Sequence, residues 1–258
     1  MSKKANAPLW VSQNFMTSKQ DIQTLLRRTR LNRQDHVVEI GPGKGHITRC
    51  LAARCGKVTA VELDSRLYCL LKEKLQPLEN VFLIHHDFLT WPLPKGRYKV
   101  FANIPFHLST AIIRRLTEAD NPPQEIWLIT EYGCSMRFCG LPKESLRSLQ
   151  LKTRFETGIS QRISASAFHP KPQVDAALLH LTLKPQPDLP QTLQGEFLRF
   201  LSAALSSGGL RRLFTKKQLA TAAKRAGLAP GFTTGDIRYI QWLCLFRCWR
   251  YFAGHGAG

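Results

Sequence analysis

Four consecutive residues, Asn103-Ile104-Pro105-Phe106, combine groups that could act on an aromatic amine. The Asn103 side-chain oxygen and the Ile104 carbonyl can accept hydrogen bonds from an amino group and so restore the lone pair that an aromatic ring delocalises. Pro105 stiffens the turn, and Phe106 offers a ring on which an unstacked base can lie. An ordinary turn followed by a core phenylalanine could have the same four residues. The neighbouring motifs must therefore distinguish a catalytic turn from a structural one.

A glycine-rich segment, EIGPGKG at 39–45, predicts a turn at which the backbone approaches a ligand. Its glycines, Gly41 and Gly43 foremost, permit a tight turn at the carboxyl edge of a sheet. A P-loop is excluded, because Val38 stands where its first glycine is required and Gly45 follows the lysine where Ser or Thr is required. His46 stands where a dinucleotide fingerprint has its third glycine, which makes a nicotinamide cofactor the weaker alternative.

Two acidic residues follow later apolar runs and suit a nucleoside-containing ligand. Glu62 lies 21 residues beyond Gly41, where a carboxylate can accept hydrogen bonds from both ribose hydroxyls. Asp87 follows the next run and can accept a hydrogen bond from an adenine amino group. The alternative for Glu62 is a solvated acid beside Asp64.

Apolar runs rich in Val, Ile, Leu and Phe alternate with helical patterns over the first 185 residues and predict an α/β fold with a mostly parallel sheet. The predicted strands, with helices between them, are Val37–Gly41, Lys57–Glu62, Val81–His85, Tyr98–Asn103 and Glu125–Glu131. Two more runs, Gly158–Ser166 and Asp175–Lys184, have no room between them for a crossover helix. We therefore expect an antiparallel hairpin that completes a seven-stranded sheet.

A second, smaller domain is predicted after the proline-rich segment KPQPDLPQ at 184–191, which has the composition of a linker. Helical periodicity follows it, so we divide the chain into a ligand-binding catalytic domain, residues 1–185, and an all-α domain, residues 186–258. Residues 188–258 carry ten Lys and Arg against three acidic residues. This excess favours a role for the helical domain in binding a polyanion.

The charge of the whole chain, 37 basic against 18 acidic residues and a net +19, indicates a polyanionic partner. Nucleic acid is favoured over an anionic membrane, because basic residues spread over a surface can neutralise many phosphates and so increase the affinity for nucleic acid. The apolar stretch Trp242–Phe252 is too short to span a bilayer and contains Arg247 and Arg250. The first residues, MSKKANAPLW, lack the apolar run of a secretory signal, so we expect a cytoplasmic protein without a membrane partner.

Neither disulfides nor a metal site is expected from the cysteines and histidines. The seven cysteines are odd in number and include no CxxC pair, which favours free thiols. No histidine belongs to an HxxxH or HExxH pattern, and the adjacent His85 and His86 are interpreted as structural or solvated.

Taken together, the motifs resemble those of rRNA adenine N6-methyltransferases, and most closely the Erm-type enzymes that modify 23S rRNA. The resemblance covers nearly the whole chain and rests on SQNF at 12–15, EIGPGKGH at 39–46, the acids Glu62 and Asp87, NIPF at 103–106 with the following Ser109-Thr110, LITEYG at 128–133 and FHPKPQV at 168–174. Two departures, Phe106 where many relatives have Tyr and Pro42 where several have Ser, keep the stacking ring and add rigidity.

The resemblance implies a Rossmann-like class I methyltransferase that uses S-adenosylmethionine, acts on naked or partly assembled 23S rRNA as a monomer, and confers resistance to macrolide, lincosamide and streptogramin B antibiotics. The implied catalytic residues are Asn103, Ile104, Pro105, Phe106 and Phe168. The implied cofactor-binding residues are Gln13, Asn14, Met16, Gly41, Gly43, Glu62, Asp87, Phe88 and Asn103.

RNA phosphates are expected to contact four basic residues, Arg114, Arg137, Lys171 and Arg211. Two alternatives stay open. A small-subunit rRNA adenine dimethyltransferase would share SQNF and the NIPF region, although LITEYG and the short C-terminal domain favour the Erm type. A nucleic-acid-binding factor that keeps the fold without catalysis is the other, and the intact NIPF and Glu62 argue against it.

Overall fold

The computed structural model describes residues 14–254. Its strands are β1 (Phe15–Met16), β2 (His36–Ile40), β3 (Lys57–Glu62), β4 (Val81–His85), β5 (Lys99–Asn103), β6 (Glu125–Glu131), β7 (Phe155–Ile163), β8 (Phe168–His169) and β9 (Ala176–Leu183). Its α-helices are α1 (Lys19–Arg27), α2 (His46–Arg54), α3 (Ser65–Leu75), α4 (Ser109–Thr117), α5 (Tyr132–Phe138), α6 (Leu146–Lys152), α7 (Gln191–Leu205), α8 (Gly209–Leu213), α9 (Lys216–Arg225) and α10 (Tyr239–Gly254).

Seven strands form one mixed sheet in the order β4-β3-β2-β5-β6-β9-β7. Neighbours from β4 to β6 are parallel, and β9 is antiparallel to β6. Val38 and Val100 on the central strands have no exposed surface, as expected of parallel strands covered on both faces. The predicted Rossmann-like α/β fold is thus confirmed. The carboxyl ends of the parallel strands meet at one edge of the sheet, and the candidate site residues follow the strands at that edge.

Two predictions about this sheet need correction. No α-helix connects β4 to β5: the described residues 86–98 form turns and irregular backbone, because Pro92, Pro94 and Gly96 interrupt the segment. The run predicted as Gly158–Ser166 forms a strand over Phe155–Ile163 instead, where Phe155 is buried. Strands β7 and β9 are neighbours in the sheet, as the predicted hairpin requires.

The short strands β1 and β8 form a separate antiparallel pair that the sequence did not predict. Phe15 pairs with His169, and Met16 pairs with Phe168. The Met16 and Phe168 side chains are buried in the same hydrophobic core. The segment before α1 is therefore fastened to the loop between β7 and β9.

The chain divides into two compact units, and the division differs from the predicted boundary at residue 185. The first unit extends to Ser135 and resumes over Thr157–Leu183, whereas the second comprises Met136–Glu156 and the chain from Lys184 onward. Leu149 of α6 explains the difference, because it lies fully buried in the core of the second unit.

The second unit is helical, as predicted, and packs around large aromatic side chains. Phe197, Phe200, Trp242 and Phe246 are almost completely buried there. The segment predicted as a linker is anchored to this core, since Leu189 within it is only 3% exposed. At 16 residues α10 is too short to cross a bilayer, and no other helix within residues 14–254 is long and apolar enough to do so.

Candidate active site

The turn after β5 is fixed by pairing with β6. Asn103 is paired with Ile129, and the next amide, that of Ile104, donates a hydrogen bond to the Ile129 carbonyl at 3.3 Å. The Ile104 side chain is buried, which anchors the turn to the core. Pro105 precedes a 3₁₀ turn, Phe106–Leu108, that leads into α4. The register of the sheet therefore determines the position of the Asn103 Cα atom, from which the side chain extends.

The Asn103 amide is oriented by the N-terminal segment. Its Nδ2 atom donates a hydrogen bond to the carbonyl oxygen of Asn14 at 2.8 Å. A carbonyl needs a donor, so the amide nitrogen and not the oxygen must face Asn14. The oxygen Oδ1 is left to accept a hydrogen bond from another group, as the sequence analysis requires.

A cavity of about 280 Å³ adjoins this turn and gathers most of the predicted catalytic residues with several predicted cofactor ligands. Its size is close to the lower limit for small-molecule sites. The predicted site residues that line it are Asn14, Met16, Gly41, Asn103, Ile104, Pro105 and Phe106. Glu39, Lys44 and His46 also line the cavity, although the sequence analysis assigned them no role.

The glycine-rich turn between β2 and α2 adopts a backbone that other residues rarely adopt. Gly41 and Gly43 have φ angles of 62° and 60°. A Cβ atom on Gly43 would lie only 2.5 Å from the Phe15 ring, so this position must be glycine for the N-terminal segment to lie against the turn. The motif thus serves close packing as well as a tight turn.

Glu62 holds the glycine-rich turn from the end of β3. Its Oε2 atom accepts a hydrogen bond from the Gly43 amide at 3.0 Å, and Oε1 accepts one from the Asp64 amide at 2.9 Å. Burial of the side chain raises the pKa of Glu62, while these backbone hydrogen bonds oppose the increase. Glu62, the predicted ribose-binding residue, therefore also shapes the turn.

Glu39 is a buried acid that the sequence analysis did not select. Burial raises its pKa to about 8, the nearby Thr48 hydroxyl opposes the increase, and the neighbouring carboxylate of Glu62 adds to it. Its Oε2 atom has no hydrogen-bond partner among residues 14–254. The sequence did hold a signal, since Glu39 is the single charged residue in the otherwise apolar run Val37–Ile40. At neutral pH this acid is mostly protonated and can donate a hydrogen bond into the cavity.

Among the described residues, four predicted cofactor ligands do not line the 280 Å³ cavity, namely Gly43, Glu62, Asp87 and Phe88. Asp87 follows β4, and its Oδ1 atom accepts a hydrogen bond from the Leu89 amide at 2.8 Å. Phe88 is buried, and its carbonyl accepts a hydrogen bond from Arg115. Gln13 falls outside the described residues. Because β4, β3 and β2 are parallel neighbours, Asp87 and Glu62 follow strands that end at the same edge of the sheet as the glycine-rich turn.

The two predicted aromatic walls have different environments. Phe106 is partly buried and lines the cavity. Phe168 is only 4% exposed, packs in the core beside Met16 and does not line the cavity. Stacking of a base on Phe168 stays a prediction that needs this ring to become accessible.

The four residues predicted to bind RNA are all exposed. Arg114 on α4 and Lys171 between β8 and β9 belong to the first unit, and Arg137 on α5 and Arg211 on α8 belong to the second. Arg114 forms an exposed ion pair with Glu118 at 3.5 Å, which contributes little to stability. All seven cysteines are free thiols, and residues 14–254 contain no group of three side chains that could hold a metal ion.

Comparisons with known proteins identify the relatives of this chain. Residues 6–248 match the protein family described as ribosomal RNA adenine dimethylase. The chain is 36% identical over 242 residues to an rRNA adenine N-6-methyltransferase of Limosilactobacillus reuteri, which covers 93% of this chain and 96% of that protein. An Escherichia coli protein of the same name is 36% identical over 252 residues, covering 96% and 99% of the two chains.

Two solved structures extend the comparison. The structure of the 23S rRNA methyltransferase ErmE matches with a TM-score of 0.84 at 26% identity and covers 92% of this chain and 100% of that one. A dimethyladenosine transferase from Plasmodium falciparum matches with a TM-score of 0.70 at 19% identity over 94% and 98% of the two chains, which is a likeness of fold.

Proposed function

Because the chain belongs to the ribosomal RNA adenine dimethylase family, we propose that its substrate is an adenine of 23S rRNA and that methylation there confers resistance to macrolide, lincosamide and streptogramin B antibiotics. The protein is an S-adenosylmethionine-dependent rRNA adenine N6-methyltransferase. The observation that supports 23S rRNA is the similarity to ErmE, which extends over 92% of the chain at a TM-score of 0.84. We expect the enzyme to act in the cytoplasm as a monomer on naked or partly assembled RNA.

The residues at the edge of the sheet fit S-adenosylmethionine. The cavity contains a buried polar atom without a partner among the described residues, Oε2 of Glu39, which can bond to a polar group of the cofactor. Glu62 and Asp87 would hold the ribose and the adenine, and Asn14 and Met16 would cover the methionine part. When bound, the cofactor supplies a methyl group that its sulfonium makes electrophilic.

Asn103 and Ile104 prepare the target amine. The Asn14 carbonyl holds the Asn103 amide so that Oδ1 accepts one amino hydrogen of the target adenine, and the Ile104 carbonyl accepts the other. These hydrogen bonds favour a pyramidal nitrogen whose lone pair is available for methyl transfer. Because a pre-oriented amide does not have to reorganise, the acceptors stabilise the transition state more than water would.

Phe106 positions the base, and no strong general base is needed. The Phe106 ring lines the cavity and can stack against an adenine that has left its own stack. The methylated nitrogen is cationic and acidic, so its proton leaves to solvent. Glu39 does not take this proton at neutral pH, because its pKa of about 8 keeps it mostly protonated.

Primer extension on total rRNA from cells that make the protein tests the proposed target. A dimethylated adenine blocks reverse transcription, so we expect a new stop on 23S rRNA and a raised inhibitory concentration of a macrolide. Cells that make the Asn103→Ala variant provide the control and should show neither. A stop on small-subunit rRNA alone would refute the 23S assignment and favour the small-subunit dimethyltransferase alternative.

A further inference from the structure

A second cavity, of about 590 Å³, lies between α1 and α2 in the first unit and is lined by basic side chains. Lys19 and Arg27 come from α1, and Arg49 and Arg54 come from α2. No Asp or Glu lines this α1–α2 groove. Its electrostatic potential must therefore favour an anion.

Helical spacing places these cations along the groove. Lys19 and Arg27 are eight residues apart on α1, so both lie on the face that meets α2. The floor between them is apolar, because Ile22 and Leu26 are only 1% and 2% exposed. The groove thus has a closed apolar floor and basic rims.

Contacts within the fold account for the positions of only two of the four basic residues in the groove. Arg54 donates a hydrogen bond from Nε to the Leu31 carbonyl at 2.8 Å, and Arg27 lies in the last turn of α1, where the helix dipole favours a cation. Lys19 is the first residue of α1, where the helix dipole disfavours a cation, and Arg49 is the fourth residue of α2, where the dipole gives a cation no support. Within residues 14–254 neither forms an ion pair. Their placement is therefore better explained by a ligand than by helix stability.

The groove adjoins the catalytic cavity through His46, which lines both. Burial lowers the pKa of His46, and the nearby charges of Arg49, Lys44 and Lys74 lower it further. At neutral pH the imidazole is therefore uncharged and can form hydrogen bonds at the junction of the two cavities. An anion bound at the His46 end of the groove would lie next to the catalytic cavity.

We propose that the α1–α2 groove binds phosphates of the rRNA strand next to the target adenosine. The inference rests on the proposed function and adds an RNA site in the first unit to the basic helical unit. A concave groove with a buried floor suits a single strand of phosphates, which can enter it, whereas the headgroups of a membrane form a flat surface. Phosphate contacts in the groove would fix the position of the strand whose base enters the cavity.

A triple variant of the full chain tests this site by removing three cations from the groove: Lys19→Gln, Arg27→Gln and Arg49→Gln. The control removes three exposed cations elsewhere in the first unit: Arg66→Gln, Lys72→Gln and Lys95→Gln. With an rRNA stem-loop as the probe in a direct binding measurement, we expect the groove variant to raise the Kd for RNA tenfold or more and to reduce the slope of log affinity against log salt by about 2–3, as loss of three phosphate contacts requires.

The control variant should show a much smaller change, and both variants should keep the wild-type kcat at saturating RNA and the wild-type affinity for S-adenosylmethionine. Equal weakening in the two variants would overturn the proposal, because overall charge would then suffice. Loss of binding to anionic vesicles with unchanged RNA binding would also overturn it. If the triple variant unfolds, the single variants Lys19→Gln and Arg49→Gln replace it. RNA binding is measured separately from methylation, so failure of the 23S assignment does not decide the result for the groove.

Discussion

The two units hold their important side chains by different means. In the first unit the site depends on directional hydrogen bonds, such as those from the Gly43 amide to Glu62 and from Asn103 to the Asn14 carbonyl. In the second unit the core depends on rings packed around Phe200, whose centroid lies 5.5–6.4 Å from those of neighbouring aromatic residues. Hydrogen bonds fix the orientation of a few atoms. Ring packing buries apolar surface and depends less on the exact position of any one atom.

This contrast predicts that substitutions in one unit affect activity and that substitutions in the other affect stability. A change at the hydrogen-bonded edge of the sheet should reduce methyl transfer while the protein stays folded. A change in the aromatic core should reduce the free energy of unfolding while the chemistry of the folded fraction stays the same. Three substitutions test this separation, and a fourth tests the raised pKa of the buried Glu39 in the first unit.

Trp242→Ala should have the largest effect, a loss of about 3–5 kcal/mol in the free energy of unfolding, because it leaves a large cavity in a fully buried core. Trp242→Phe should cost clearly less, since it retains a ring and removes an indole N–H that has no acceptor among the described residues. Denaturant unfolding measures both. If Trp242→Ala instead slows methyl transfer by the folded protein at saturating RNA, the separation between the units fails.

Asn103→Ala should reduce single-turnover methyl transfer about 100-fold or more, the usual effect of removing a hydrogen bond that acts in the transition state. The free energy of unfolding and the affinity for RNA should change little, because the side chain lies at the edge of the sheet and not in its core. The measurement uses an rRNA fragment and saturating cofactor. A wild-type rate in this variant would show that the turn has no catalytic role.

Phe106→Ala should weaken productive RNA binding by about 1–3 kcal/mol, the usual contribution of one base stacked on an aromatic ring. Phe106→Tyr serves as the matched control and should keep wild-type activity, because it retains the ring. KM for RNA and single-turnover rates measure the effect. Equal losses in both variants would indicate that the hydroxyl is not accommodated and that Phe106 is packing rather than a stacking surface.

Glu39→Gln should change the pH dependence of stability: relative to wild type, its free energy of unfolding should increase by about 1 kcal/mol per pH unit between pH 6 and 8. The folded-state pKa of Glu39, about 8, lies above that of an ordinary glutamate, so the folded protein retains a proton that the unfolded chain loses. Wild-type stability therefore falls as the pH rises from about 4.5 towards 8. Unfolding measured at pH 6, 7 and 8 should show a widening difference, and a constant difference would contradict the raised pKa.

The sequence predicted the parts of the first unit that follow from local pattern. Apolar runs marked β2 to β6, and the glycine-rich turn and Asn103 were recognised because residue type and spacing carry their chemistry. The pairing of β1 with β8 was missed, because two-residue strands about 150 positions apart leave no periodic signal. The burial of Glu39 and the assignment of α6 to the second unit depend on tertiary packing, which no local pattern specifies.

The pairing of Met16 with Phe168 has a thermodynamic consequence for the order of events on the enzyme. One partner belongs to the segment expected to cover the cofactor, and the other to the loop expected to meet the target base. If a ligand displaces one of these strands, the pairing with the other strand changes in energy, and occupancy at one end should then change the affinity at the other. Such a coupling is reciprocal: if cofactor tightens RNA binding by some factor, RNA tightens cofactor binding by the same factor. Two backbone-paired residues would then suffice to make the two substrates bind cooperatively.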